Sequence, residues 1–300
     1  MRYQARAPLR IDLAGGWTDV PVFAQAEGGA VLCAAINRYA KGHISHPEGI
    51  GALATLRGDR SYVEYSLDLP AGAGLGASAA QTVLWTALVR TTIINDADRR
   101  EIAEIAASIA GLLGLRGGKQ DEYASSLGGI LFLTFGSEVS VERLELAREI
   151  VDRLRSRLVL VYSGERRNSA LIHARVWERY RERERTVVDA LRALKRIAVD
   201  MRVALLAGDL DGVAHLMGEN WHNQKALDAT VTTDAIERIL ATAARHGSID
   251  GKVCGAGGGG CVLLVSADGR EAELREAMRR DGARIIDFDF DTYGVHLKKG

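Results

Sequence analysis

The spacing of apolar and polar residues divides this chain of 300 residues into strands and helices. Residues 62–69 alternate apolar and polar side chains, which is the pattern of a strand with one buried face. From Ser78 onward apolar residues recur at helical intervals, so a helix follows that strand after a short glycine-rich segment. The same two patterns predict strands at 5–14, 30–36, 128–135, 158–162 and 261–265, helices at 98–113, 165–206, 211–225, 234–246 and 271–280, and a final strand pair within 284–297.

The glycine-rich segment 69–81, LPAGAGLGASAAQ, joins the predicted strand to the predicted helix. Gly72, Gly74 and Gly76 allow positive φ angles, so successive N–H groups can converge on an anion at the helix N-terminus. The hydroxyl of Ser78 is suited to Mg²⁺ or a phosphate oxygen. The segment lacks the lysine of a P-loop and the G-x-G-x-x-G spacing of a dinucleotide site. Spacing alone leaves two interpretations open, a phosphate site and a packing turn.

A second glycine-rich segment, KVCGAGGGGCVLLV at 252–265, contains G-x-G-x-x-G at Gly255, Gly257 and Gly260. An apolar strand follows these glycines where the dinucleotide fingerprint requires a helix, so the context excludes a Rossmann site. Two interpretations stay open: a loop that a ligand or another element approaches at backbone distance, and a glycine-lined bulge.

Composition sets limits without indicating a function. Hydrophobic residues make up 47% and charged residues 26%, as in an ordered globular chain, and the length suggests two domains. The charged stretch 136–157 predicts their boundary, giving domains 1–153 and 154–300. Lys plus Arg equals Asp plus Glu at 39 each, so no overall field favours nucleic acid or a membrane surface. The sequence shows no signal-peptide pattern and no membrane-length apolar run, and we expect a cytoplasmic protein.

Three segments together resemble one family. APLRIDLAGGWTDVP at 7–21, PAGAGLGASAA at 70–80 and KVCGAGGGGCV at 252–262 are similar, in order and placement, to the three motifs of the GHMP kinases. The resemblance implies an α+β, two-domain GHMP kinase fold with the active site in the interdomain cleft. It also implies phosphoryl transfer from ATP to a small-molecule alcohol, with Mg²⁺ as the metal cofactor.

The resemblance also implies roles for individual residues. Asp121 would accept the proton of the attacking hydroxyl or simply orient that hydroxyl, and Arg10 would keep Asp121 ionised and offset developing negative charge. Ser78 matches the Mg²⁺-binding serine of the family. The residues expected to bind ATP are Pro70, Gly72, Gly74, Leu75, Gly76, Ala77, Ser78 and Ala79.

Within the family, AGGWTD and GKQDEYASSLGG look most similar to sugar 1-kinases, those of D-glycero-D-manno-heptose 7-phosphate and of fucose. Asp19 matches the aspartate that accepts hydrogen bonds from sugar hydroxyls. Lys119 is expected either to contact a substrate phosphate or to pair with Glu122 on the surface. The expected substrate-binding residues are Gly15, Gly16, Trp17, Thr18, Asp19, Lys119, Gly255, Gly257 and Gly258. The expected partner is a sugar or sugar phosphate, with no nucleic acid or membrane, and a homodimer is left open.

One feature departs from the family pattern. Where many members carry a glutamate ligand for Mg²⁺, this chain has Ile109, Ala110 and Gly111, and the nearest upstream carboxylate is Glu104. Because Mg²⁺ keeps several waters and binds largely through substrate phosphates, Ser78 and ATP could hold the metal. The alternative is a homologue that binds nucleotide and sugar but is catalytically impaired.

Overall fold

The computed structural model describes residues 2–45, 62–69, 72–114, 117–165 and 169–300. Within these ranges the chain forms two antiparallel β-sheets with helices packed on them. Pro70, one of the residues expected to bind ATP, lies outside the described residues.

The first sheet contains six strands. They are β1 (Arg2–Ala14), β2 (Gly29–Ser45), β3 (Tyr62–Leu67), β4 (Ile130–Phe135), β5 (Val139–Arg143) and β10 (His296–Lys299). Their order is β10-β1-β2-β4-β5, and β3 pairs with β2. Strand β1 alternates between exposed and buried residues as far as Arg6 and is buried throughout from Ala7 to Ala14. The strand therefore carries Arg10 and Asp12 into the interior, where their charges require partners.

Four helices accompany the first sheet: α1 (Pro21–Glu27), α2 (Ala77–Arg90), α3 (Asp96–Leu112) and α4 (Gln120–Leu127). Helix α2 confirms the helical pattern seen after Ser78, and it buries every apolar position of that pattern: Ala80, Val83, Leu84, Ala87 and Leu88. The strand-to-helix context of the first glycine segment is therefore as predicted.

The second sheet contains β6 (Leu158–Tyr162), β7 (Ser248–Val253), β8 (Cys261–Ser266) and β9 (Arg284–Ile286), in the order β7-β8-β6-β9. The remaining helices are α5 (Arg148–Arg157), α6 (Ser169–Arg181), α7 (Arg185–Ala207), α8 (Leu210–Leu227), α9 (Asp234–Arg245) and α10 (Glu271–Arg280), with one 3-10 turn at Ala229–Val231. Among the helices of the described ranges, none is long and apolar enough to cross a membrane.

The two sheets share one apolar core. It contains Leu9 and Ile36 of the first sheet, Met201 of α7, Met217 of α8 and Leu263 of β8. Because these elements meet in one core, the polar ends of β1 and β7 can contact each other directly.

The α+β class is confirmed, but one helix was not predicted and one local expectation is wrong. No element was assigned to residues 120–127, which form helix α4; this helix is buried on nearly every side and so lacks an amphipathic pattern. The final strands do not pair with each other, because β9 pairs with β6 and β10 pairs with β1. The proposed domain boundary at 153/154 falls inside α5 and stays a prediction.

Candidate active site

The first glycine segment forms an uncapped helix N-terminus. The φ angles are +88° at Gly72, +83° at Gly74 and +72° at Gly76, so all three glycines adopt the predicted conformation. Gly76 immediately precedes α2, no side chain caps the helix, and its first turn carries no acidic residue. The first N–H groups of a helix lack intrahelical acceptors, and the helix dipole attracts negative charge there. The start of α2 is therefore suited to a phosphate group.

Most side chains at this N-terminus are buried, so mainly backbone groups are available to a ligand. Leu75, Ala77 and Ala79 are buried, whereas the side chain of Ser78 is exposed. The neighbouring helix α3 shows the contrast, because Asn95 closes its N-terminus with a capping box. The N-terminus of α2 is thus free of a side-chain cap, as are those of several other helices, and ATP contacts by these residues stay a prediction.

Arg10 joins this loop to Asp121. Its guanidinium donates to both carboxylate oxygens of Asp121, at 2.7 and 2.8 Å, and its third contact is the carbonyl oxygen of Gly74 at 2.7 Å. Burial by itself would lower the pKa of Arg10, but the charges of Asp121 and Asp12 together with the hydrogen bond to Asp121 outweigh it, and the pKa is raised. A Cβ atom at Gly76 would lie 3.2 Å from the carboxylate of Asp121, so the loop and the carboxylate are direct neighbours. The two residues expected to be catalytic therefore meet beside the phosphate loop.

Asp19 lies next to the start of α4. Its carboxylate accepts a hydrogen bond of 3.0 Å from the backbone N–H of Gln120. A Cβ atom at Gly118 would lie 1.9 Å from this carboxylate, so only glycine fits there. Burial, followed by the charge of Asp121, raises the pKa of Asp19 to about 7. The side chain therefore changes charge near neutral pH, and its ionised form offers more acceptor sites to sugar hydroxyls than its protonated form does.

The raised pKa of Asp19 predicts a pH-dependent stability effect of Asp19→Asn. A folded-state pKa of about 7 means that ionising Asp19 costs free energy, and this cost grows from about pH 4 to pH 7 and then stays constant. Asparagine avoids the cost and still accepts from Gln120. The variant should be equal to or less stable than the parent at pH 4, and more stable by about 2–4 kcal/mol at pH 8. Urea unfolding across this range measures the difference, and parallel curves would contradict it.

The turn between β1 and α1 is held in part by the side chain of Thr18. The hydroxyl of Thr18 bonds with the backbone of Gly15 and Ala30, and the residue is fully buried. This hydroxyl is therefore engaged within the turn, and a sugar contact by Thr18 stays a prediction. Trp17 has a φ of +82° and is buried, with its ring 4.3 Å from that of His173. The ring belongs to an apolar cluster, so its sugar contact stays a prediction.

The two glycines of that turn are required by close packing. A Cβ atom at Gly15 would lie 2.1 Å from the carbonyl oxygen of Ala30, and one at Gly16 would lie 2.5 Å from the carboxylate of Asp12. Both positions therefore bring backbone close to neighbouring atoms. Sugar contacts by Gly15 and Gly16 stay predictions.

Lys119 does not pair with Glu122, contrary to one of its two expected roles. Its amine donates to Glu104 at 2.7 Å, and the hydroxyl of Tyr123 donates to the same carboxylate at 2.6 Å. Burial, followed by the charge of Asp121, raises the pKa of Glu122 to about 8. The surface pair fails because Glu122 is buried and Lys119 is held by α3. A contact between Lys119 and a substrate phosphate stays a prediction.

The second glycine segment packs against other parts of the site. Positive φ angles occur at Gly255, Gly257, Gly258, Gly259 and Gly260. A Cβ atom at Gly257 would lie 2.5 Å from the carbonyl oxygen of Val231, which also accepts the N–H of Gly258 at 2.6 Å. Cys261 donates its N–H to the carbonyl of Ala73 in the first glycine segment, at 2.8 Å. The segment is therefore a loop that other elements approach at backbone distance. The N–H of Gly258 is already engaged.

A buried ion pair between Asp12 and Lys252 was missed at the sequence level. Lys252 donates to the carboxylate of Asp12 at 2.7 Å and to its backbone carbonyl at 3.0 Å, and neither side chain is more than 1% exposed. The pair links β1 to β7. Both residues lie inside the quoted motifs. A charged residue within an otherwise apolar strand was the signal that could have indicated a buried ion pair.

The described residues fit Mg²⁺ only in part. They contain no group of three or more His, Cys, Asp or Glu side chains arranged to hold a metal ion. Glu104 is occupied by Lys119 and Tyr123, and Asp121 is occupied by Arg10. The exposed side chain of Ser78 remains beside the phosphate loop. This donor set suits a Mg²⁺ ion carried mainly by nucleotide phosphates.

Sequence comparisons identify the class of protein that this site belongs to. Residues 49–129 match the family model described as the GHMP kinases N terminal domain, and residues 201–284 match that of the GHMP kinases C terminal domain. Together these ranges span more than half of the chain. The protein belongs to the GHMP kinase family of phosphotransferases.

Three individual proteins are similar to this chain over nearly its full length. The D-glycero-alpha-D-manno-heptose 7-phosphate kinase of Campylobacter jejuni is 27% identical over 97% of each chain. The L-fucokinase/L-fucose-1-P guanylyltransferase of Bacteroides fragilis is 28% identical over 98% of this chain, which spans only 38% of that protein. A crystal structure of a D-glycero-D-manno-heptose 1-phosphate kinase from Bacteroides thetaiotaomicron superposes with a TM-score of 0.77 at 26% identity, covering 99% of both chains.

Proposed function

We propose that this protein transfers the γ-phosphoryl group of ATP to the anomeric hydroxyl of a sugar. D-glycero-D-manno-heptose 7-phosphate is the first candidate, because the full-length similarity is to kinases named for heptose phosphates. The observation that carries the proposal is the contact of Arg10 with both Asp121 and Gly74. Through it a carboxylate and a cation lie directly beside an uncapped helix N-terminus.

In the proposed reaction Asp121 accepts the proton of the sugar hydroxyl while the hydroxyl oxygen forms a bond to the γ-phosphorus. The bond from that phosphorus to the bridging oxygen breaks, and ADP leaves with the electron pair. Arg10 and the first N–H groups of α2 stabilise the negative charge of the transferring group. An ionised carboxylate has about four acceptor sites, so Asp121 can bind Arg10 and a hydroxyl together.

The exposure of Asp121 supports access by substrate, since 26% of its side chain is exposed against 3% for Arg10. Bound Mg²⁺ would neutralise phosphate charge, and Ser78 is the residue proposed to bind it. Asp19 in its ionised form would bind sugar hydroxyls and so orient the anomeric group.

A free sugar such as L-fucose is the second candidate substrate. The amine of Lys119 is already paired with Glu104, which weakens the case for that lysine as the partner of a sugar phosphate group. The similarity to the Bacteroides fragilis fucokinase supports the same alternative.

A substrate panel tests the proposal. Protein, Mg²⁺ and ATP are incubated with heptose 7-phosphate, L-fucose, galactose, mevalonate and homoserine, and products are identified by phosphorus NMR. We expect a sugar 1-phosphate, formed fastest from heptose 7-phosphate. A phosphorylated mevalonate or homoserine would contradict the sugar assignment. ATP binding by calorimetry without any turnover would instead support a catalytically impaired binding protein.

A further inference from the structure

Two buried amide side chains of α8 connect the two segments proposed to surround the sugar. Asn220 and Gln224 are each 1% exposed and lie four residues apart, so both face the same side of the helix. The backbone N–H of Gly15 donates to Asn220 Oδ1 at 2.9 Å. Asn220 Nδ2 donates to Gln224 Oε1 at 3.4 Å, and Gln224 Nε2 donates to the carbonyl oxygen of Gly255 at 2.7 Å.

We call Asn220 and Gln224 the amide relay. Its hydrogen bonds run in one fixed direction from donor to acceptor. One end must accept a hydrogen bond and the other must donate one, because Gly15 offers an N–H and Gly255 offers a carbonyl. Each side chain uses one oxygen and one nitrogen for this purpose. An apolar replacement at either position leaves a backbone group without its side-chain partner: the buried N–H of Gly15 or the carbonyl of half-buried Gly255. The relay therefore needs amides at both positions.

Both ends of the relay lie in backbone that is packed against other elements. Gly15 is so close to Ala30 that even a Cβ atom would collide with its carbonyl. Gly255 has a φ of +69° and opens the run of positive-φ glycines that contacts Val231 and Ala73. A displacement of α8 is therefore passed to both segments together.

We infer that Asn220 and Gln224 are positioning residues that set the spacing between the turn at 15–19 and the loop at 255–260, and thereby the affinity for the acceptor substrate. The inference rests on the proposed function, in which both segments contact the sugar. The side chains of the relay do not touch Arg10, Gly74 or the start of α2, and the loop at 255–260 reaches the first glycine segment only at its far end, beside Ala73. Loss of the relay should therefore raise the KM for the sugar more than the KM for ATP.

Gln224→Glu gives a readout that a purely structural role would not produce. An ionised glutamate at position 224 cannot form a hydrogen bond with the carbonyl oxygen of Gly255, because both groups are acceptors. The protonated form can donate to this carbonyl as glutamine does. Burial raises the pKa of such a carboxyl, so protonation returns near neutral pH. We expect the KM for the sugar to be at least tenfold above the parent at pH 9, with the ratio falling toward one at pH 6. Dividing the KM of the variant by the KM of the parent at the same pH cancels the pH dependence that both proteins share through Asp19 and Glu122.

Two controls make this test selective. Gln224→Met should raise the KM for the sugar equally at both pH values. Asn223→Asp makes an amide-to-acid change at a half-buried position of the same helix, outside the relay, and should leave the KM unchanged. An unchanged KM in both Gln224 variants, or an equal effect of Asn223→Asp, would overturn the inference.

Hydrogen exchange of the Gly15 amide tests the relay without any substrate. Asn220→Leu should remove the protection of this amide, and Asn220→Asp should keep it because a carboxylate still accepts the N–H. Equal protection in both variants would overturn the relay. If no sugar on the panel is phosphorylated, the proposed function fails, and this exchange experiment still decides whether Asn220 holds the turn.

Discussion

Replacing Asp121 with asparagine is expected to lower kcat by roughly 10²–10⁴-fold, because an amide cannot take the proton of the sugar hydroxyl. Initial rates at saturating ATP and sugar measure the effect. The ion pair adds a stability cost, since the buried guanidinium of Arg10 loses its charged partner and one good hydrogen bond. We expect this cost to be about 1–3 kcal/mol, so the assay belongs well below the unfolding temperature.

A double variant separates the chemical loss from the structural one. Arg10→Met combined with Asp121→Asn removes the unpaired buried charge and should recover most of the stability while kcat stays low. A kcat of Asp121→Asn within tenfold of the parent would show that Asp121 is not the proton acceptor. Recovery of kcat in the double variant would show the same.

Replacing Lys252 with methionine is expected to lower the free energy of unfolding by about 3–5 kcal/mol, because Asp12 is left buried without its cation. The effect should be large since the pair is fully buried and joins β1 to β7. Urea unfolding at pH 7.5 measures it.

Two further variants serve as controls for Lys252→Met: one removes both charges of the buried pair, and the other breaks an ion pair on the surface. Asp12→Asn combined with Lys252→Met removes both charges and should recover most of the lost stability. Lys41→Met breaks the pair with Asp68, in which the lysine is 50% exposed, and should cost less than about 1 kcal/mol. A loss in Lys252→Met no larger than that in Lys41→Met would contradict the prediction.

Much of the secondary structure was predictable because it depends on local periodicity. The pattern after Ser78 predicted α2 together with its buried face, and the glycines before it predicted the positive φ angles. Helix α4 escaped prediction because a helix buried on nearly all sides has no polar stripe. The last two strands were assigned correctly as strands but paired wrongly, since hydrogen-bond partners across a sheet are not local information.

The candidate site was predictable in part. The motif resemblance predicted that both Arg10 and Asp121 are catalytic, and in the structure two hydrogen bonds join them. The motif did not indicate the hydrogen bonds of Thr18, whose hydroxyl donates to the backbone of Gly15 and Ala30, and its sugar contact stays a prediction. Lys119 shows another limit, since its partner Glu104 lies on a different helix.

By itself, the sequence determined the GHMP kinase family, the α+β class and the glycine-rich start of α2, because these follow from motif order, periodicity and glycine conformation. Only the tertiary structure decided which charges are paired. Arg10 with Asp121, Asp12 with Lys252 and the relay from Gly15 to Gly255 each join residues more than 100 positions apart. Such contacts depend on how sheets and helices pack around a common core, and burial then sets the charge that Asp19 and Glu122 carry near neutral pH.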